Sequence, residues 1–469
     1  MEQHTLASWD YPAAMEYLAG LGRFGWHLGL ERIQALLAEL GHPEQGGLYV
    51  HVAGTNGKGS VSAYVAHILR AAGYRVGLYT SPHLVDYPER FACLIPDGQP
   101  GGGPEPRYIS REELAALLQE VARAARRVED RTPYGHPTEF EVLTAAAFLY
   151  FRDRCQWTVL EVGLGGRLDA TNVILPRMCV ITHLALDHTD RLGPTLAHIA
   201  REKAGILKPG VRCVVAPQGE GAADSQPEGP GGPRNGEAWQ IWPVLLEHSG
   251  QVQAPLVPVL AGGAGAQDAA GAVLPDGVLA RSWRIVAPSW DQAGGSFSLQ
   301  GAAPGTPEPA PGDAASGGAA ASTAQARPAG PEERSPRLHT PLLGPHQVHN
   351  AAAAAVAARL LLAGPRLAPP APGFSPVRRP GLSLEQRPWP WPAIAQGLAE
   401  TSWPGRLEVL SRQPFILLDG AHNPDGIRRL VQTVEHLYPG QRFLVVGGCY
   451  GTGPMPRCWG TWPASQPAP

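Results

Sequence analysis

Lys58 lies in a glycine-rich loop, and its amine is well suited to hold a phosphate. Residues 54–60 read GTNGKGS and stand between the apolar run Leu48 to Val52, a predicted strand, and a predicted amphipathic helix. In that context backbone N–H groups turn toward an anion, the helix N-terminus adds positive potential, and the lysine reaches the outer phosphates. The strict nucleotide pattern GxxxxGK(S/T) is not met, because Gly59 separates Lys58 from Ser60. A glycine-rich turn with a solvated lysine is the alternative interpretation.

Polar side chains also follow three further apolar runs that predict strands. The runs and their polar neighbours are Val76–Thr80 with Ser81, Thr158–Val162 with Glu161, and Val180–Thr182 with His188. Ligands of open α/β sheets bind beyond the carboxyl ends of strands, where a hydroxyl, a carboxylate and an imidazole would suit a divalent cation on ATP phosphates. The plainer alternatives are that Ser81 caps a turn, that Glu161 is a strand-end acid, and that His188 is an ordinary loop histidine. A zinc site from His183, Asp187 and His188 is another, but it has no recognised ligand spacing.

The bulk composition excludes several classes of protein. A chain of 469 residues predicts two domains, and its net charge of −3 gives no basic footprint for nucleic acid. No apolar run is long enough to span a membrane, and the N-terminus does not read as a signal peptide. Six scattered cysteines predict reduced thiols in a cytoplasmic protein.

Glycine, proline and alanine concentrate between residues 217 and 336, which predicts a partly disordered insertion. Two apolar islands within it, AWQIWPVLLEHSG and RSWRIVAPSW, predict strands of the first domain. The predicted domains are therefore residues 1–336, residues 337–448 and an irregular tail at 449–469. The predicted fold is α/β: a P-loop-type N-terminal domain with a mostly parallel sheet, and a smaller Rossmann-like C-terminal domain.

Eight motifs occur in an order that carries a family resemblance: HVAGTNGKGSV, YTSPHL, TEFEVLTAAAF, EVGLGGRLDATN, LDHTDRLGPTLAHIAREKAGILKPG, HQVHNA, WPGRLE and LLDGAHNPDG. Together they closely resemble the folylpolyglutamate synthase/dihydrofolate synthase family of the Mur ligase superfamily. The resemblance implies an ATP-dependent ligase that phosphorylates a folate-type carboxylate and joins it to L-glutamate. A peptidoglycan-type Mur ligase and a catalytically impaired remnant that only binds nucleotide or folate are the alternatives.

The resemblance also assigns roles to residues. It implies ATP contacts at Asn56, Gly57, Lys58, Gly59, Ser60, Gln347, Asn350, Arg406, Asp419 and His422, and Mg²⁺ ligands at Ser60, Ser81, Glu161 and His188. Lys58, Lys203 and His188 would be catalytic, with Lys203 matching a lysine that relatives carbamylate. Contacts with the pterin-bearing substrate are implied at Thr138, Glu139, Phe140, Glu141, Leu168, Asp169 and Ala170. Helix packing is the alternative for Phe140 and Leu168, and helix capping for Asp419.

The α/β pattern stops after the run Phe443–Gly448, which predicts a strand. The following residues show neither a helical nor a strand period, so the C-terminal domain is expected to be incomplete. The expected partners are small molecules only, namely ATP, L-glutamate and dihydropteroate or a reduced folate, with no nucleic acid and no membrane. A monomer is expected.

Overall fold

The computed structural model describes residues 8–21, 29–219, 240–261, 274–302, 332–363 and 390–447. Its α-helices are α1 (Tyr11–Leu21), α2 (Glu31–Glu39), α3 (Lys58–Ala71), α4 (Arg111–Arg131), α5 (Glu139–Arg152), α6 (Thr189–Leu192), α7 (Leu196–Ala204), α8 (Ile241–Val252), α9 (Asp276–Leu279), α10 (Pro345–Ala363), α11 (Pro390–Ala399) and α12 (Pro424–Leu437). None of these helices has the length and apolar character needed to cross a membrane.

The strands of the described part of the chain are β1 (Leu48–Ala53), β2 (Val76–Tyr79), β3 (Phe91–Leu94), β4 (Arg107–Tyr108), β5 (Trp157–Glu161), β6 (Met178–Ile181), β7 (Cys213–Val215), β8 (Leu256–Leu260), β9 (Trp283–Asp291), β10 (Gly294–Ala302), β11 (Glu332–Arg334), β12 (Leu338–Thr340), β13 (Glu408–Arg412) and β14 (Phe415–Leu418). The first twelve form one sheet in the order β11-β10-β9-β8-β7-β6-β1-β5-β2-β3-β4, with β12 paired to β10.

The centre of this sheet is parallel, as the sequence predicts. Strand β1 pairs in parallel with β5 and with β6, and β2 pairs in parallel with β5. The antiparallel pairs lie toward the two edges. Because all four central strands point the same way, the loops after β1, β2, β5 and β6 leave the same edge of the sheet. The phosphate loop, Ser81 and Glu161 are therefore brought to one place by topology.

Helices cover both faces of the sheet. One core contains the apolar side of α3 with α10 and α11, and the other contains α1, α2, α4 and α5. The strands between them are buried on both faces, which explains why they read as nearly continuous apolar runs rather than alternating ones. The protein therefore has an α/β fold with a large, mostly parallel sheet.

The predicted strand in AWQIWPVLLEHSG is wrong, because this island forms helix α8. Its buried residues Ile241, Trp242, Val244 and Leu245 recur at the spacing of one helical face. The second island is confirmed as strand β9. Strands β8, β10 and β11 also form within the predicted insertion, whereas its residues 220–239, 262–273 and 303–331, and the tail at 449–469, lie outside the described residues.

Helices α10 and α11 bear on where the C-terminal domain begins. Val348 of α10 and Ile394 and Leu398 of α11 are buried in the same core as β1 and α3. A separate small core then forms from Leu407, Val434, Leu437 and other residues around α12. This packing places α10 and α11 with the large sheet, and the domain boundary after residue 336 stays a prediction.

The described C-terminal region contains helix α12 and a two-stranded antiparallel sheet, β13–β14. The predicted strand at Phe443–Gly448 is not formed at residues 443–447, which have no regular secondary structure. No described strand pairs with this segment, and a strand needs such a partner to satisfy its backbone N–H and C=O groups.

Candidate functional site

The phosphate loop joins the buried strand β1 to helix α3, which is the arrangement that anion binding requires. Gly57 precedes the helix at φ 89°, a left-handed conformation that suits glycine. A Cβ there would also lie 2.4 Å from the side-chain Oδ1 of Asn350. The Lys58 amine donates a hydrogen bond to the Thr55 carbonyl (3.1 Å), so it folds back over the loop. The loop geometry therefore supports the phosphate-loop interpretation over that of a solvated lysine.

Helix α10 closes one side of the loop. Gln347 donates from its side-chain amide to the Ser60 hydroxyl (3.3 Å), and Asn350 donates to the Gln347 side chain (3.1 Å). All three side chains are buried. The two amides that the sequence assigns to nucleotide binding thus lie against the start of α3.

Glu161 ends β5 as a buried carboxylate in the cleft. It accepts a hydrogen bond from the Ser81 backbone N–H (3.3 Å), so β2 and β5 bring these two residues together as predicted. Burial raises the pKa of Glu161 to about 6, although the nearby Lys58 charge lowers it. A buried carboxylate with few donors is a group that a cation would stabilise.

Lys203 lies near the end of α7, where its side chain is buried and lines the same cleft. Burial lowers the pKa of its amine to about 7, and the positive charge of Lys58 lowers it further. The negative charges of Asp187, Asp169 and Glu202 oppose this shift but do not cancel it. A large fraction of Lys203 is therefore neutral and nucleophilic near pH 7.

His188 follows β6 at the rim of the cleft, with its side chain half exposed. Burial lowers its pKa, against the opposing charge of Asp187, so the imidazole is mainly neutral at pH 7. His183 also lines the cleft, with Nε2 3.4 Å from Asp425 and 3.1 Å from the Arg429 guanidinium. Among the described residues no three His, Cys, Asp or Glu side chains form a metal-binding group, which argues against the zinc alternative.

Arg406, Asp419 and His422 come from the C-terminal region and line the same cleft. Asp419 accepts backbone N–H groups of Leu407 (2.9 Å) and Ala421 (2.8 Å), so it fixes the turn after β14. Burial raises its pKa, and the adjacent Arg406 charge opposes that shift. Asp419 does not cap α12. The capping residue is Asn423, whose side chain accepts from the Gly426 N–H (2.8 Å).

A polar contact that sequence reasoning missed joins the phosphate loop to α12. Asn56 and Asn423 exchange side-chain hydrogen bonds of 3.3 and 2.9 Å, and Asn423 also donates to Asp187 (3.0 Å). Asn56 donates to Asp425 as well (2.8 Å). The motif LLDGAHNPDG contains both Asn423 and Asp425, so their position next to His422 could have indicated that they lie at the site.

The residues expected to contact the pterin-bearing substrate lie outside this cleft and make structural contacts. Thr138 caps α5, and Glu141 forms a buried ion pair with Arg32 (2.7 Å). Glu139 accepts from the Tyr87 hydroxyl (2.9 Å), and Phe140 packs beside Tyr79. Leu168 is half-buried and Ala170 is buried in the core beneath α5. Their role as substrate contacts stays a prediction.

Asp169 has a clear local function. One carboxylate oxygen accepts the N–H groups of Gly163 and Leu164 (3.0 Å each), and the other accepts the N–H of Thr171 (3.0 Å). Gly163 and Leu164 line the cleft. Asp169 therefore holds the GLGG loop in place next to Glu161.

The phosphate loop, Glu161, Lys203 and the C-terminal Arg406 line one cleft. It contains the predicted residues Asn56, Gly57, Lys58, Gly59, Ser60, Ser81, Glu161, His188, Lys203, Gln347, Asn350, Arg406, Asp419 and His422. Cationic side chains stand beside buried carboxylates there, so the cleft can hold a polyphosphate and a cation together.

Comparison with known proteins identifies the family of the chain. Residues 405–455 match the family described as "Mur ligase, glutamate ligase domain", a match that extends past residue 448. The dihydrofolate synthase/folylpolyglutamate synthase of Bacillus subtilis is 33% identical over 438 residues, which cover 93% of this chain and 79% of that protein. The chain belongs to the folylpolyglutamate synthase/dihydrofolate synthase family.

Solved structures of the family agree with the fold. The apo form of the L. casei enzyme has a TM-score of 0.64 at 29% identity, with 92% of this chain and 81% of that chain covered. The complex of folylpolyglutamate synthase with AMPPCP and folate has a TM-score of 0.63, also at 29% identity, with the same coverage. The Mycobacterium tuberculosis enzyme with ADP and AMPPCP has a TM-score of 0.63 at 27% identity, over 91% of this chain and 74% of that one.

Proposed function

We propose that this chain is an ATP-dependent ligase that forms an amide between a folate-type carboxylate and the amine of L-glutamate. The acid would be dihydropteroate, a reduced folate polyglutamate, or both. The carrying observation is the single cleft in which the phosphate loop, Glu161, Lys203 and the C-terminal Arg406 meet. Family membership over 93% of the chain supports the same reaction and argues against a peptidoglycan-type substrate.

ATP would lie between the two parts of the chain. Backbone N–H groups at the start of α3 and the Lys58 amine suit the outer phosphates, and the rigid donor fork of Arg406 approaches from the opposite wall. Gln347 and Asn350 lie against Ser60, where they would orient the nucleotide side of the loop.

The reaction then needs two displacements. A carboxylate oxygen of the acid attacks the γ-phosphorus, ADP leaves, and an acyl phosphate forms. The glutamate amine attacks the acyl carbon, inorganic phosphate leaves, and the nitrogen loses a proton. Lys58 and Arg406 would neutralise charge on the transferring phosphoryl group.

Mg²⁺ fits the ligands of this cleft, because Glu161 is a buried carboxylate. Among the described residues, its hydrogen-bond donor is the Ser81 backbone N–H. Ser60, Ser81, Glu161 and His188 would hold the ion, which supplies charge neutralisation at the phosphates when it is bound. The lowered pKa of Lys203 supports its carbamylation, since only a neutral amine adds carbon dioxide. A carbamate there would convert a buried cation into an anionic ligand.

The C-terminal ligase domain is proposed to be partial in the described structure. One face of β13–β14 packs on α12, but Leu410, Ile416 and Leu418 on the other face are 39 to 54% exposed. A Rossmann-like domain covers both faces of its sheet. We also propose that the protein is a cytoplasmic monomer that acts on small molecules only. The cytoplasmic location is supported by four free thiols, those of Cys93, Cys155, Cys179 and Cys213.

The test is ADP release by the 469-residue chain with Mg-ATP, L-glutamate and either dihydropteroate or tetrahydrofolate. Release that needs both glutamate and one pterin acid is expected. Lys58→Ala should lower it by at least about 100-fold, because the variant lacks the charge that stabilises phosphoryl transfer. Lys208→Ala is the matched lysine control, since Lys208 donates to the Asn172 carbonyl (3.2 Å) outside the cleft. A folded chain that releases no ADP would instead support the catalytically impaired remnant.

A further inference from the structure

Two cysteines far apart in the chain meet at the side of the sheet where β3 lies. The sulfur atoms of Cys93, on β3, and Cys155, just after α5, are 3.5 Å apart and share a hydrogen bond. Cys93 pairs with Gly77 at the beginning of β2, whereas Ser81 follows the end of that strand. The pair therefore lies toward the edge of the sheet opposite to the candidate active site, and the proposed ligase reaction does not use it.

The surroundings of Cys93 favour its thiolate. The hydrogen bond from Cys155 lowers the pKa of Cys93, burial opposes that shift, and Tyr150, Arg154 and Arg75 lower it further. The Arg154 guanidinium stacks on the Tyr150 ring (4.6 Å), which holds both groups beside the sulfur. The pKa of Cys155 is raised well above its ordinary value, through the same hydrogen bond and through burial. The two thiols thus differ in kind: one is activated and the other is a protonated neighbour within reach.

Access is limited but present. Cys93 is 7% exposed and Cys155 is half-buried, so a small oxidant can reach the pair more easily than a bulky disulfide can. A protein site that senses hydroperoxides requires these elements: a thiolate, a nearby second thiol, and a positive environment.

We propose that Cys93 and Cys155 form a reversible dithiol–disulfide site that reacts with small hydroperoxides. The Cys93 thiolate attacks one peroxide oxygen, the O–O bond breaks, and hydroxide leaves to give a sulfenic acid. The Cys155 thiol then attacks that sulfur, the S–S bond forms, and water leaves. Two thiols lose two electrons and two protons in total, and the hydroperoxide is reduced. A dithiol reductant reverses the change.

The second thiol keeps the oxidation of Cys93 reversible. A sulfenic acid without a neighbouring thiol is oxidised further to sulfinic acid, which most cells cannot reverse. Disulfide formation stops that reaction at a recoverable stage. The inference does not depend on the proposed ligase function, because the pair is remote from the cleft and its test needs no substrate.

The experiment exposes the pre-reduced, full-length chain to a few equivalents of hydrogen peroxide, followed by alkylation and non-reducing peptide mapping. We expect one disulfide-linked peptide pair, joining Cys93 to Cys155, and a loss of two free thiols from the six in the chain. Dithiothreitol should restore all six. Full alkylation of both cysteines after peroxide, or a link from either one to another cysteine, would overturn the proposal.

Variants add a readout that a merely structural pair would not give. In Cys155→Ser, Cys93 should stop at a sulfenic acid that dimedone traps, and prolonged peroxide should convert it to sulfinic acid. In the matched control Cys213→Ser, on β7, the Cys93–Cys155 link should form as in the unmodified chain. Should Cys155→Ser fail to fold, the mapping of the unmodified chain still decides the proposal.

Discussion

Buried ionisable residues give the cleft its chemistry. The chain has only three lysines, Lys58, Lys203 and Lys208, and the first two line the cleft. The Lys58 charge lowers the pKa of Lys203 and also that of Glu161, so both groups depend on it. A change at Lys58 should therefore be measurable at the other two.

The small number of lysines makes the state of Lys203 measurable. In a chain labelled with ¹³C-lysine, NMR should resolve the lysine side chains, and Lys203 should titrate with a pKa of about 7 in carbonate-free buffer. Lys58→Ala should raise that pKa by removal of a neighbouring positive charge. A midpoint close to the ordinary lysine value of about 10.4 would contradict the burial that the structure gives to Lys203.

Glu161 predicts a pH-dependent magnesium requirement. Its folded pKa is raised to about 6, so the carboxylate is ionised at pH 8 but largely protonated at pH 5.5. The Mg²⁺ concentration for half-maximal activity should therefore rise as the pH falls through 6.

Glu161→Gln should raise the same requirement at pH 8 by about tenfold or more, because an amide is a weaker ligand for a hard cation. Its requirement should also lose the dependence on pH near 6. Glu247→Gln on the exposed side of α8 serves as the control. Identical magnesium titrations for Glu161→Gln and the unmodified chain would remove Glu161 from the metal site.

At the scale of elements, helix α12 is the contact between the C-terminal region and the phosphate loop. Asp425 joins Asn56 (2.8 Å), His183 (3.4 Å) and Arg429 (3.1 Å). Burial raises the pKa of Asp425, but the hydrogen bond and charge of His183 and the charge of Arg429 outweigh it and hold the pKa well below its usual range. This carboxylate stays ionised and keeps both walls of the cleft together.

Asp425→Ala should lower kcat/KM for ATP by about 10- to 100-fold, since loss of a hydrogen bond to a charged group costs roughly 1.5–3 kcal/mol. The far-UV circular dichroism should not change, because the helix cap at Asn423 remains. Glu435→Ala, at an exposed position of the same helix, is the control. If both variants keep the kinetics of the unmodified chain, α12 does not position the ATP site.

Helices and strands could be predicted from the sequence where a single apolar period or a single apolar run identified them. Strands β1, β2, β5 and β6 and helix α3 are confirmed within one to three residues, because each has a single apolar pattern ended by glycine or polar residues. Helix α8 was predicted as a strand because a short apolar run fits either structure, and only its contact with α7 decides. The packing of α10 and α11 on the large sheet could not be predicted, since no local pattern shows which core a helix joins.

The candidate site was predictable residue by residue through its motifs, but its supporting contacts were not. The Asn56–Asn423 exchange joins residues 367 positions apart, and no local pattern encodes such a pairing. Asp169 differs in that its partners are local: it accepts the N–H groups of Gly163 and Leu164 within the same motif, a structural role that the motif alone did not suggest.

At the scale of the whole molecule, the described part of the C-terminal region exposes several large apolar side chains. Leu444 and Val446 are about 90% exposed, and Leu410 and Ile416 of the small sheet are also exposed. Such a surface favours non-specific association of the proposed monomer at high protein concentration.

Replacing Leu410, Ile416 and Leu444 together by serine should therefore reduce concentration-dependent light scattering, with little loss of folding stability. Sedimentation velocity at several concentrations measures this. The matched control is serine at Leu175, an exposed apolar residue away from the small sheet, which should leave scattering unchanged. Equal scattering by the triple variant and the unmodified chain would show that this face does not drive association.

The central claim is that the folate-type carboxylate is itself phosphorylated, and isotope transfer tests it most directly. The pterin acid that supports ADP release is prepared with ¹⁸O in its reacting carboxylate, and the inorganic phosphate is analysed by mass spectrometry. An acyl phosphate transfers one ¹⁸O atom to phosphate for each amide formed, and this is the predicted result. Unlabelled phosphate accompanying amide formation, or label recovered in AMP, would contradict the mechanism.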